Sequence, residues 1–506
     1  MRSYQRLVLA AAACAAASCS WLHGTPEQNL LVIVVDGLRF DAISDSIGAA
    51  KTPNLHRLAD DGISFTACYG HSPLGFPALA SIFSARTPNR SGVSHNDQGL
   101  PTQLPLVTEQ LAERGYQTLA AVSRRYGPPQ SAGDTNSTLA RGFQRFDGPE
   151  DVLAAAPEVM NDALALVRGA DAARGWFLFA QFSDPQAPYE AYDTATNSAH
   201  VVLDGDLVTS VSTSNSTRWK HAVELAPGKH QFSFRSASSV PVRVRSFQCE
   251  TKSGPLKWTF DHGGDEGGAK TVVVTVDNAS AEPVACQVEA WIQDVPSLAQ
   301  MRDRYRLEVE AVDKAIGAIL DDLKARGEYD DTLIVVTATH GESLGEHGTV
   351  GAPSLYDELL RVPLILKPVR DDPALATLRK QRLTMLRLVD LAPTVLDLLG
   401  AGSMRSADGE SFLEGGEREF IAEVGPPESK SRRFAIRDER YKMIYDSTER
   451  RYEMYDLRVD TLELENIFML QGHLRIAWQS KLRRLADGPD WEKVKASEGE
   501  STAPNG

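Results

Sequence analysis

An uninterrupted apolar run, NLLVIVV at residues 29–35, stands directly before an aspartate, Asp36. The run lacks the polar alternation of a half-exposed strand, so it predicts a strand that is buried on both faces. Such strands are typical of parallel sheets that are covered by helices on both sides. Ligands of these sheets bind beyond the carboxyl ends of the strands, which makes Asp36 a candidate functional residue.

The alternation of helix and strand patterns along the chain predicts the same architecture. Helix patterns cover 54–62 and 106–115, and further buried strands are expected at 175–185 and 332–338. The clearest helix is 301–326, where apolar residues recur at steps of three and four. We therefore predict an α/β fold with a mostly parallel sheet sandwiched by helices. The strand ends expected to meet at one edge of this sheet are Asp36, Ser183–Gln186 and Thr339–His340.

The predicted core comprises residues 27–194 and 296–401, and a segment of different character interrupts it. Residues 195–295 alternate apolar and polar side chains between turn residues, which predicts an inserted β-sandwich. This insert is a candidate site for a glycan or a protein partner, and a spacer or packing module is the alternative. A small C-terminal α+β subdomain at 402–489 and a polar, disordered tail at 490–506 complete the predicted organisation.

The N-terminal segment 1–19 has the features of an export signal. Two arginines precede the apolar stretch Leu7–Ala13, which is too short to span a bilayer as a helix. The small residues before Cys19 resemble a bacterial lipoprotein processing site, so we predict that Cys19 carries lipid. Ordinary cleavage nearby is the alternative, with Cys14 as a weaker lipid candidate. The expected location is the bacterial cell envelope, periplasmic or at the outer membrane, with the membrane reached through the N-terminal lipid.

Composition and cysteine content indicate which classes of partner are excluded and which disulfide the chain can form. The chain has 506 residues, of which 42% are hydrophobic and 24% charged, as in ordinary globular proteins. Its formal net charge of -15 argues against a nucleic-acid partner. Cys249 and Cys286 both lie in the insert of a chain expected to be exported, which favours a disulfide; two separate buried thiols are the alternative. Cys68 is expected to be a buried core residue.

The stretch SPLGFPALASIFSAR at 72–86 has the form of a loop that presents a reactive group at the start of a helix. Two prolines bracket a bend around Gly75, and the spacing predicts a helix from Ala78 onward. The first N–H groups of a helix form a natural anion site. Between Ser72 and Ser81, however, the stretch contains no side chain that could act as a nucleophile.

A second polar stretch, THGESLGEHG at 339–348, follows the predicted strand 332–338. Its two histidines and two glutamates lie near a strand end, so they and Asp36 could converge on a metal ion. A solvated polar loop is the alternative interpretation of this stretch.

Taken together, these segments resemble the sulfatase family of the alkaline phosphatase superfamily. The resemblance covers nearly the whole chain apart from the signal, the insert and the tail. The matching stretches follow the family's order: VIVVDGLRFD, TPNLHRLADDGISF, SPLGFPALASIFSARTPNRSGV, DPQAPYEAY, THGESLGEHG, LYDELLRVPLILKP, LVDLAPTVLDLLG and RDERYKMIYDSTERRYEMYDL. The resemblance implies an alkaline phosphatase-like fold and the hydrolysis of sulfuric or phosphoric esters.

The resemblance also implies a nucleophile that this chain lacks. The family places a cysteine, which becomes formylglycine, in a loop of pattern Cys-x-Pro-Ser-Arg. That pattern aligns with 75–79, so Gly75 stands at the nucleophile position and Leu79 at the position of the supporting arginine. Cys68 cannot substitute in this alignment, because it lies seven residues before Gly75 and lacks the surrounding pattern.

The metal site that the resemblance implies is also incomplete. The family's first aspartate pair aligns with Asp36 and Gly37, and the later pair aligns with Thr339 and His340. Calcium takes about six to eight oxygen ligands, and a catalytic zinc about three protein ligands. We therefore expect no cofactor or, in an active protein, one divalent metal (Ca or Zn) held by Asp36 and His340 with a weak contribution from Thr339.

Two groups that contact the substrate in the family are replaced as well. The family's histidine in Asp-Pro-His-x-Pro-Tyr aligns with Gln186, and the lysine expected after GEHG falls near Ala352, while His347 remains. These replacements favour a catalytically inactive pseudoenzyme that binds or scaffolds in the cell envelope. The alternative is a residual hydrolase of sulfuric or phosphoric esters, in which water attacks with help from His340 or His347.

Overall fold

The computed structural model describes a defined part of the chain. These residues are 28–44, 49–127, 138–149, 153–186, 189, 198–213, 217–237, 240, 242–262, 269–294, 297–404, 406–416, 418–425, 431–470 and 472–487. The predicted signal peptide with Cys14 and Cys19, and the predicted tail 490–506, lie outside them. Within the described part, no helix is both long and apolar enough to cross a bilayer.

The chain divides into two compact units. The first contains Met1–Pro185, Val309–Ser343 and Ala352–Gly506, and the second contains Gln186–Glu308 and Leu344–Gly351.

The first third of the chain alternates strands and helices. In chain order the elements are β1 (Asn29–Val35), α1 (Pro53–Asp61), β2 (Ile63–Tyr69), α2 (Gly75–Ser84), α3 (Pro88–Ser91), α4 (Val107–Glu113), β3 (Gln117–Val122), β4 (Arg145–Asp147), α5 (Ala156–Arg168) and β5 (Trp176–Phe182). In β1 the residues Leu30–Val35 are all buried, and β5 is buried throughout, as their apolar runs predict.

The segment predicted to be an inserted β-sandwich consists of antiparallel strands. These are β6 (Ser198–Leu203), β7 (Asp206–Ser212), β8 (Thr217–Leu225), β9 (Gly228–Ser236), β10 (Val242–Thr251), β11 (Gly254–Pro255), β12 (Lys257–His262), β13 (Thr271–Asn278) and β14 (Val284–Asp294). They form one sheet in the order β12-β13-β9-β6-β7 and another in the order β11-β10-β14-β8. Burial alternates along β13, and one apolar cluster joins residues of both sheets, including Phe232, Phe247 and Val288.

The remaining elements complete the main sheet and add a C-terminal subdomain. They are α6 (Leu298–Arg326), β15 (Thr332–Ala338), α7 (Asp357–Leu360), β16 (Arg361–Lys367), α8 (Leu375–Gln381), β17 (Leu386–Arg387), α9 (Leu391–Leu398), β18 (Phe420–Val424), β19 (Arg433–Arg437), β20 (Tyr441–Asp446), β21 (Arg451–Asp456) and α10 (His473–Asp487).

The main sheet confirms the predicted fold class. It has eight strands in the order β17-β2-β16-β15-β1-β5-β3-β4. Its pairs are parallel except those that β16 makes with β15 and with β2. In the centre, Val35 pairs with Ala338 on one side and with Phe182 on the other. This register brings the ends of β1, β5 and β15 to the same level.

The C-terminal subdomain is a four-stranded antiparallel sheet in the order β18-β19-β20-β21. One side of it packs on the main domain, where Phe420 and Ile444 share an apolar cluster with Tyr69. A second cluster joins Met443 to Trp478 of α10, so the helix covers sheet residues that would otherwise face water.

Candidate active site

Asp36 lies at the centre of the sheet edge, directly after β1, and is fully buried. Its backbone N–H donates to the carbonyl of Phe182 at 2.8 Å, which extends the strand pairing by one residue. Because the three central strands end in register, Ser183 and Thr339 follow β5 and β15 on either side of Asp36. The structure thus brings together three of the predicted strand-end residues.

The Asp36 carboxylate accepts hydrogen bonds from four neutral side chains. The oxygen Oδ2 accepts from the Tyr126 hydroxyl at 2.7 Å, from Nε2 of Gln181 at 2.6 Å and from the Ser183 hydroxyl at 3.0 Å. The other oxygen, Oδ1, accepts from the Thr339 hydroxyl at 2.6 Å. Hydrogen bonds of this kind satisfy a buried carboxylate, which would otherwise be costly to remove from water.

Gln181 is oriented by its own contacts. Its Oε1 accepts from the backbone N–H of Arg124 at 3.2 Å, so its Nε2 faces Asp36 and also donates to Ser183 at 2.6 Å. Gln181 and Ser183 are two residues apart in an extended segment, so they share one face of the sheet.

The Tyr126 hydroxyl occupies the space that a side chain at residue 75 would need. A Cβ atom built on Gly75 would lie 2.1 Å from the Tyr126 oxygen and 2.7 Å from its Cζ atom, far inside van der Waals contact. The Tyr126 ring stacks on Phe76 with centroids 5.8 Å apart, and the guanidinium of Arg124 lies 5.5 Å from the ring centroid. The space beside Gly75 is therefore filled by Tyr126, whose ring packs on Phe76.

Tyr126 is held as a protonated phenol. Burial, and then the neighbouring Asp36 carboxylate, raise the pKa of Tyr126 well above its usual value. A phenol in this state donates a hydrogen bond to Asp36 and does not provide the anionic oxygen that a nucleophile requires.

Helix α2 begins earlier than the sequence predicts. The prediction placed a bend at Gly75 and the first turn at Ala78, whereas the helix starts at Gly75 itself and includes Pro77 in its first turn. Proline is tolerated there because the first N–H groups of a helix have no partner within the helix. The Phe76 N–H instead donates to Oδ1 of Asn96 at 3.0 Å, so a side chain of this protein already occupies part of the predicted anion site.

The remaining predicted site residues are placed as follows. Nδ1 of the buried His340 lies 2.6 Å from the carbonyl oxygen of Gly341. His347 belongs to the second compact unit, in the single turn Glu346–Gly348, where its backbone has a φ of 51°. Gln186 belongs to that unit too, while Leu79 is fully buried inside α2.

The donor set does not fit the divalent cation that the resemblance implies. Within the described ranges, no group of three or more His, Cys, Asp or Glu residues is placed to hold a metal ion. A cation at Asp36 would also have to displace the hydroxyl and amide donors that its two oxygens accept. The expectation that the protein has no cofactor stays a prediction, which elemental analysis can test.

Two residues of this cluster were not identified from the sequence. Gln181 is a polar residue in the otherwise apolar strand WFLFAQF, and a polar side chain buried in such a strand requires a partner. Tyr126 follows the end of β3, and the strand-end rule applied to β3 would have included it. The contact of Tyr126 with Gly75 depends on tertiary packing and has no local sequence signal.

The cysteines are placed as follows. The sulfurs of Cys249 and Cys286 lie 3.0 Å apart as two buried thiols, and the disulfide between them stays a prediction. Cys68 is a buried thiol, and burial raises its pKa far above the usual value.

Comparisons with known proteins identify the family of the chain. The Sulfatase family model matches residues 28–401, and a model described as N-sulphoglucosamine sulphohydrolase, C-terminal, matches residues 345–487. An N-acetylglucosamine-6-O-sulfatase from Bacteroides thetaiotaomicron is 25% identical, with 91% of this chain and 87% of that protein covered. A choline-sulfatase from Rhizobium meliloti is 24% identical, with 88% of this chain and 83% of that protein covered.

Solved structures show the same fold. The phosphonate monoester hydrolase of Agrobacterium radiobacter superposes with a TM-score of 0.60 at 19% identity, covering 90% of this chain and 94% of that chain. Since the Sulfatase model spans well over half of the sequence and the sheet carries the motifs in the family's order, the chain belongs to the sulfatase family of the alkaline phosphatase superfamily.

Proposed function

We propose that this protein is a sulfatase-fold pseudoenzyme of the bacterial envelope, which binds or scaffolds and does not hydrolyse esters. The observation that carries the proposal is the Tyr126 hydroxyl, which lies 2.1 Å from the position of a Cβ atom at residue 75. Covalent hydrolysis needs an activated nucleophile at that position. Gly75 has no side chain, and the space beside it is taken by a protonated phenol.

The remaining carboxylate supports the same conclusion. A hydrolase that uses water directly still needs a metal ion or fixed cations to stabilise the charge that develops on the ester oxygens. At Asp36 the described contacts are hydrogen bonds from neutral hydroxyl and amide groups, and they occupy both carboxylate oxygens. This arrangement stabilises the fold at the position where the resemblance implies a metal.

The direct test is an activity assay of the purified protein. We expect no turnover of aryl sulfates, phosphate monoesters or phosphate diesters above that of buffer. His340→Ala serves as the matched variant. Turnover that is present in the natural protein and lost in His340→Ala would overturn the proposal and favour a residual hydrolase.

Metal content gives a second, independent test. We expect elemental analysis of the purified protein to find no stoichiometric Ca, Mg, Mn or Zn. One tightly bound metal per chain that is lost in Asp36→Ala would contradict the proposal, because it would show that Asp36 is a ligand.

The envelope location rests on the N-terminal sequence and on the predicted lipid at Cys19. We expect labelled palmitate to be incorporated into the natural chain and not into Cys19→Ser, with Cys14→Ser as the control. Incorporation that survives Cys19→Ser and is lost in Cys14→Ser would move the anchor to Cys14. A glycan or protein partner at the insert is a further part of the proposal.

A further inference from the structure

A short surface segment of the C-terminal subdomain, residues 459–470 between β21 and α10, exposes apolar side chains at high density. Elsewhere in the described ranges, any stretch of twelve residues exposes at most two large apolar side chains. This segment exposes five, with exposed fractions of 66–84%: Val459, Leu462, Leu464, Met469 and Leu470. We call these five residues, together with the exposed Ile476 in the first turn of α10, the apolar surface.

The segment is held in one conformation by a side chain that turns inward. Glu463 is buried, although its neighbours Leu462 and Leu464 are exposed. Its Oε1 lies 2.8 Å from Nζ of Lys442, and its Oε2 accepts the backbone N–H of Asp357 at 2.6 Å. Glu463 has a φ of 56°, which residues other than glycine rarely adopt. Its buried contacts offset the cost of this backbone conformation.

Further hydrogen bonds fix both halves of the segment. The carboxylate of Asp460 accepts the backbone N–H groups of Leu464 and Glu465, at 3.0 and 2.8 Å. In the second half, the Ile467 N–H donates to the carbonyl of Met454 in β21 at 2.8 Å. Because the segment is ordered before any other surface covers it, little conformational entropy would be lost on association.

The second half of the segment lies against the start of α10. The guanidinium of Arg475 donates to the carbonyl of Phe468 at 3.4 Å and lies 5.4 Å from the centroid of the Phe468 ring. Met469 and Leu470 directly follow this phenylalanine. They therefore lie beside the first helical turn, which carries Ile476.

The apolar surface has the area that a specific protein interface needs. Burying one aliphatic side chain corresponds to about 60–120 Å² of apolar area, so six that are exposed to this degree present on the order of 400 Å². A specific interface buries about 800 Å² on each partner, a little over half of it apolar. The apolar surface thus supplies most of the apolar area that one partner contributes, and exposed areas of this size often mark interaction sites.

The charges beside the apolar surface favour a second copy of this chain over a membrane. Arg458 directly precedes Val459, Glu465 directly follows Leu464, and both charged residues are exposed. One cation and one anion on the same surface are self-complementary in a two-fold contact, where Arg458 of one copy can face Glu465 of the other. An anionic lipid surface would instead favour an excess of cations.

We propose that the chain forms a two-fold symmetric homodimer through the apolar surface. Leu462 and Leu464 lie at the centre of the interface, because they are between the two charges, and Arg458 pairs with Glu465 across it. The fixed conformation of the segment lets both copies present the same surface, as such a contact requires. This association does not depend on whether the cluster at Asp36 is catalytic, so the two proposals succeed or fail separately.

Light scattering coupled to size-exclusion chromatography tests the dimer. The natural chain is purified in a nonionic detergent, because a lipid at Cys19 is predicted, and the mass of its protein component is measured over a range of concentrations. We expect the mass of two chains at micromolar concentrations. In the double variant Leu462→Ser, Leu464→Ser the dissociation constant should rise about tenfold or more, because two apolar side chains of the interface are lost.

Matched variants separate this surface from other causes of association. Leu207→Ser in the insert is the control, since Leu207 is 63% exposed and lies outside the apolar surface; it should leave the mass unchanged. Arg458→Glu and Glu465→Arg should each weaken the dimer, and the two together should restore it, because the charges are then exchanged. Circular dichroism checks that each variant folds.

Three results would overturn the proposal. The first is a natural protein with the mass of one chain at every concentration. The second is a dimer that persists unweakened in the folded Leu462→Ser, Leu464→Ser variant or is lost in Leu207→Ser. The third is a single chain that floats with phosphatidylglycerol vesicles in the Cys19→Ser background and stops doing so in the double variant, which would make the apolar surface a membrane contact. A charge exchange that fails to restore the dimer would contradict the pairing of Arg458 with Glu465.

Discussion

Two buried aspartates show how differently this protein treats one kind of side chain. Asp36, after β1, is surrounded by four neutral donors. Asp390, before α9, is equally buried but lies between two guanidinium groups, those of Arg387 and Arg418. The first carboxylate is satisfied without any cation, and the second has more cation than it can balance. Asp36, where the resemblance implies a metal ligand, therefore has its hydrogen bonds satisfied without a cation. The unbalanced positive charge lies at Asp390, in the C-terminal part of the chain.

The largest effect is expected from replacing each aspartate by asparagine. Asp390→Asn leaves two buried guanidinium groups without a counter-charge and should lower the free energy of unfolding by about 3–5 kcal/mol. Asp36→Asn should lower it less, by about 1–3 kcal/mol, because the hydroxyls around it can rotate to accept hydrogen bonds. Urea unfolding followed by circular dichroism measures both. If the two variants lost equal free energy of unfolding, or if Asp36→Asn lost more, the proposed difference between the two aspartates would be wrong.

The next largest effect is a loss of stability at acid pH, which we attribute to His71, a buried residue near Arg387. Burial lowers the pKa of His71 to about 4, and the charge of Arg387 acts in the same direction. The folded protein therefore keeps His71 neutral while the unfolded chain binds a proton. Stability should fall as the pH falls from about 6.5 to about 4, by on the order of 3 kcal/mol.

Unfolding measured at several pH values tests this dependence on His71. His71→Gln removes the titrating group and should give a flatter pH profile, whereas His221→Gln in the insert should keep the natural slope. A His71→Gln profile as steep as that of the natural protein would show that other groups cause the acid sensitivity.

A smaller loss is expected where Tyr126 fills the space at Gly75. Gly75→Ala introduces a Cβ atom into the Tyr126 hydroxyl and should destabilise the fold by about 1–3 kcal/mol. Tyr126→Phe removes the atom that is nearest to this Cβ, so the penalty of Gly75→Ala should be smaller in that background. A double-mutant cycle measures the coupling. Equal penalties in both backgrounds would mean that the two residues do not meet.

The smallest losses of stability are expected from removing single hydrogen-bond donors to the two carboxylate oxygens of Asp36. Thr339 is the described side-chain donor to Oδ1, whereas Oδ2 accepts from three side chains. Thr339→Val keeps the shape but removes that donor, and should lower stability by about 1–3 kcal/mol. Ser183→Ala leaves two donors on Oδ2 and should lower it by about 1 kcal/mol or less. A larger loss for Ser183→Ala in thermal unfolding would reverse this ranking.

Much of the fold was predictable because it follows from local patterns. The apolar run of β15 predicted strand 332–338 with the bounds that the structure shows, and apolar residues at steps of three and four predicted a helix at 301–326, which the structure shows as Leu298–Arg326. The start of α2 was predicted wrongly, because Pro77 was treated as part of a bend although the first turn of a helix accepts proline.

The candidate site was predictable only for the residues that directly follow a strand of the main sheet. The strand-end rule brought Asp36, Ser183 and Thr339 together, because parallel strands in register place their ends side by side. The contact between Tyr126 and Gly75, by contrast, joins a residue that follows β3 to the first residue of α2, which are far apart in the sequence. The pairing of Arg418 with Asp390 likewise depends on how the C-terminal segment packs. The periodicity of apolar residues in the sequence does not indicate this packing.

The contact between Gly75 and Tyr126 also has an evolutionary consequence. A mutation that restored cysteine or serine at residue 75 would place its first side-chain atom against the phenol, so the intermediate would fold less well before it gained any activity. Return to hydrolysis would need the tyrosine to change first or at the same time. The tyrosine therefore acts as a barrier against reversion, and sulfatase sequences that pair a glycine at the nucleophile position with a large residue in place of Tyr126 should form lineages in which activity does not reappear.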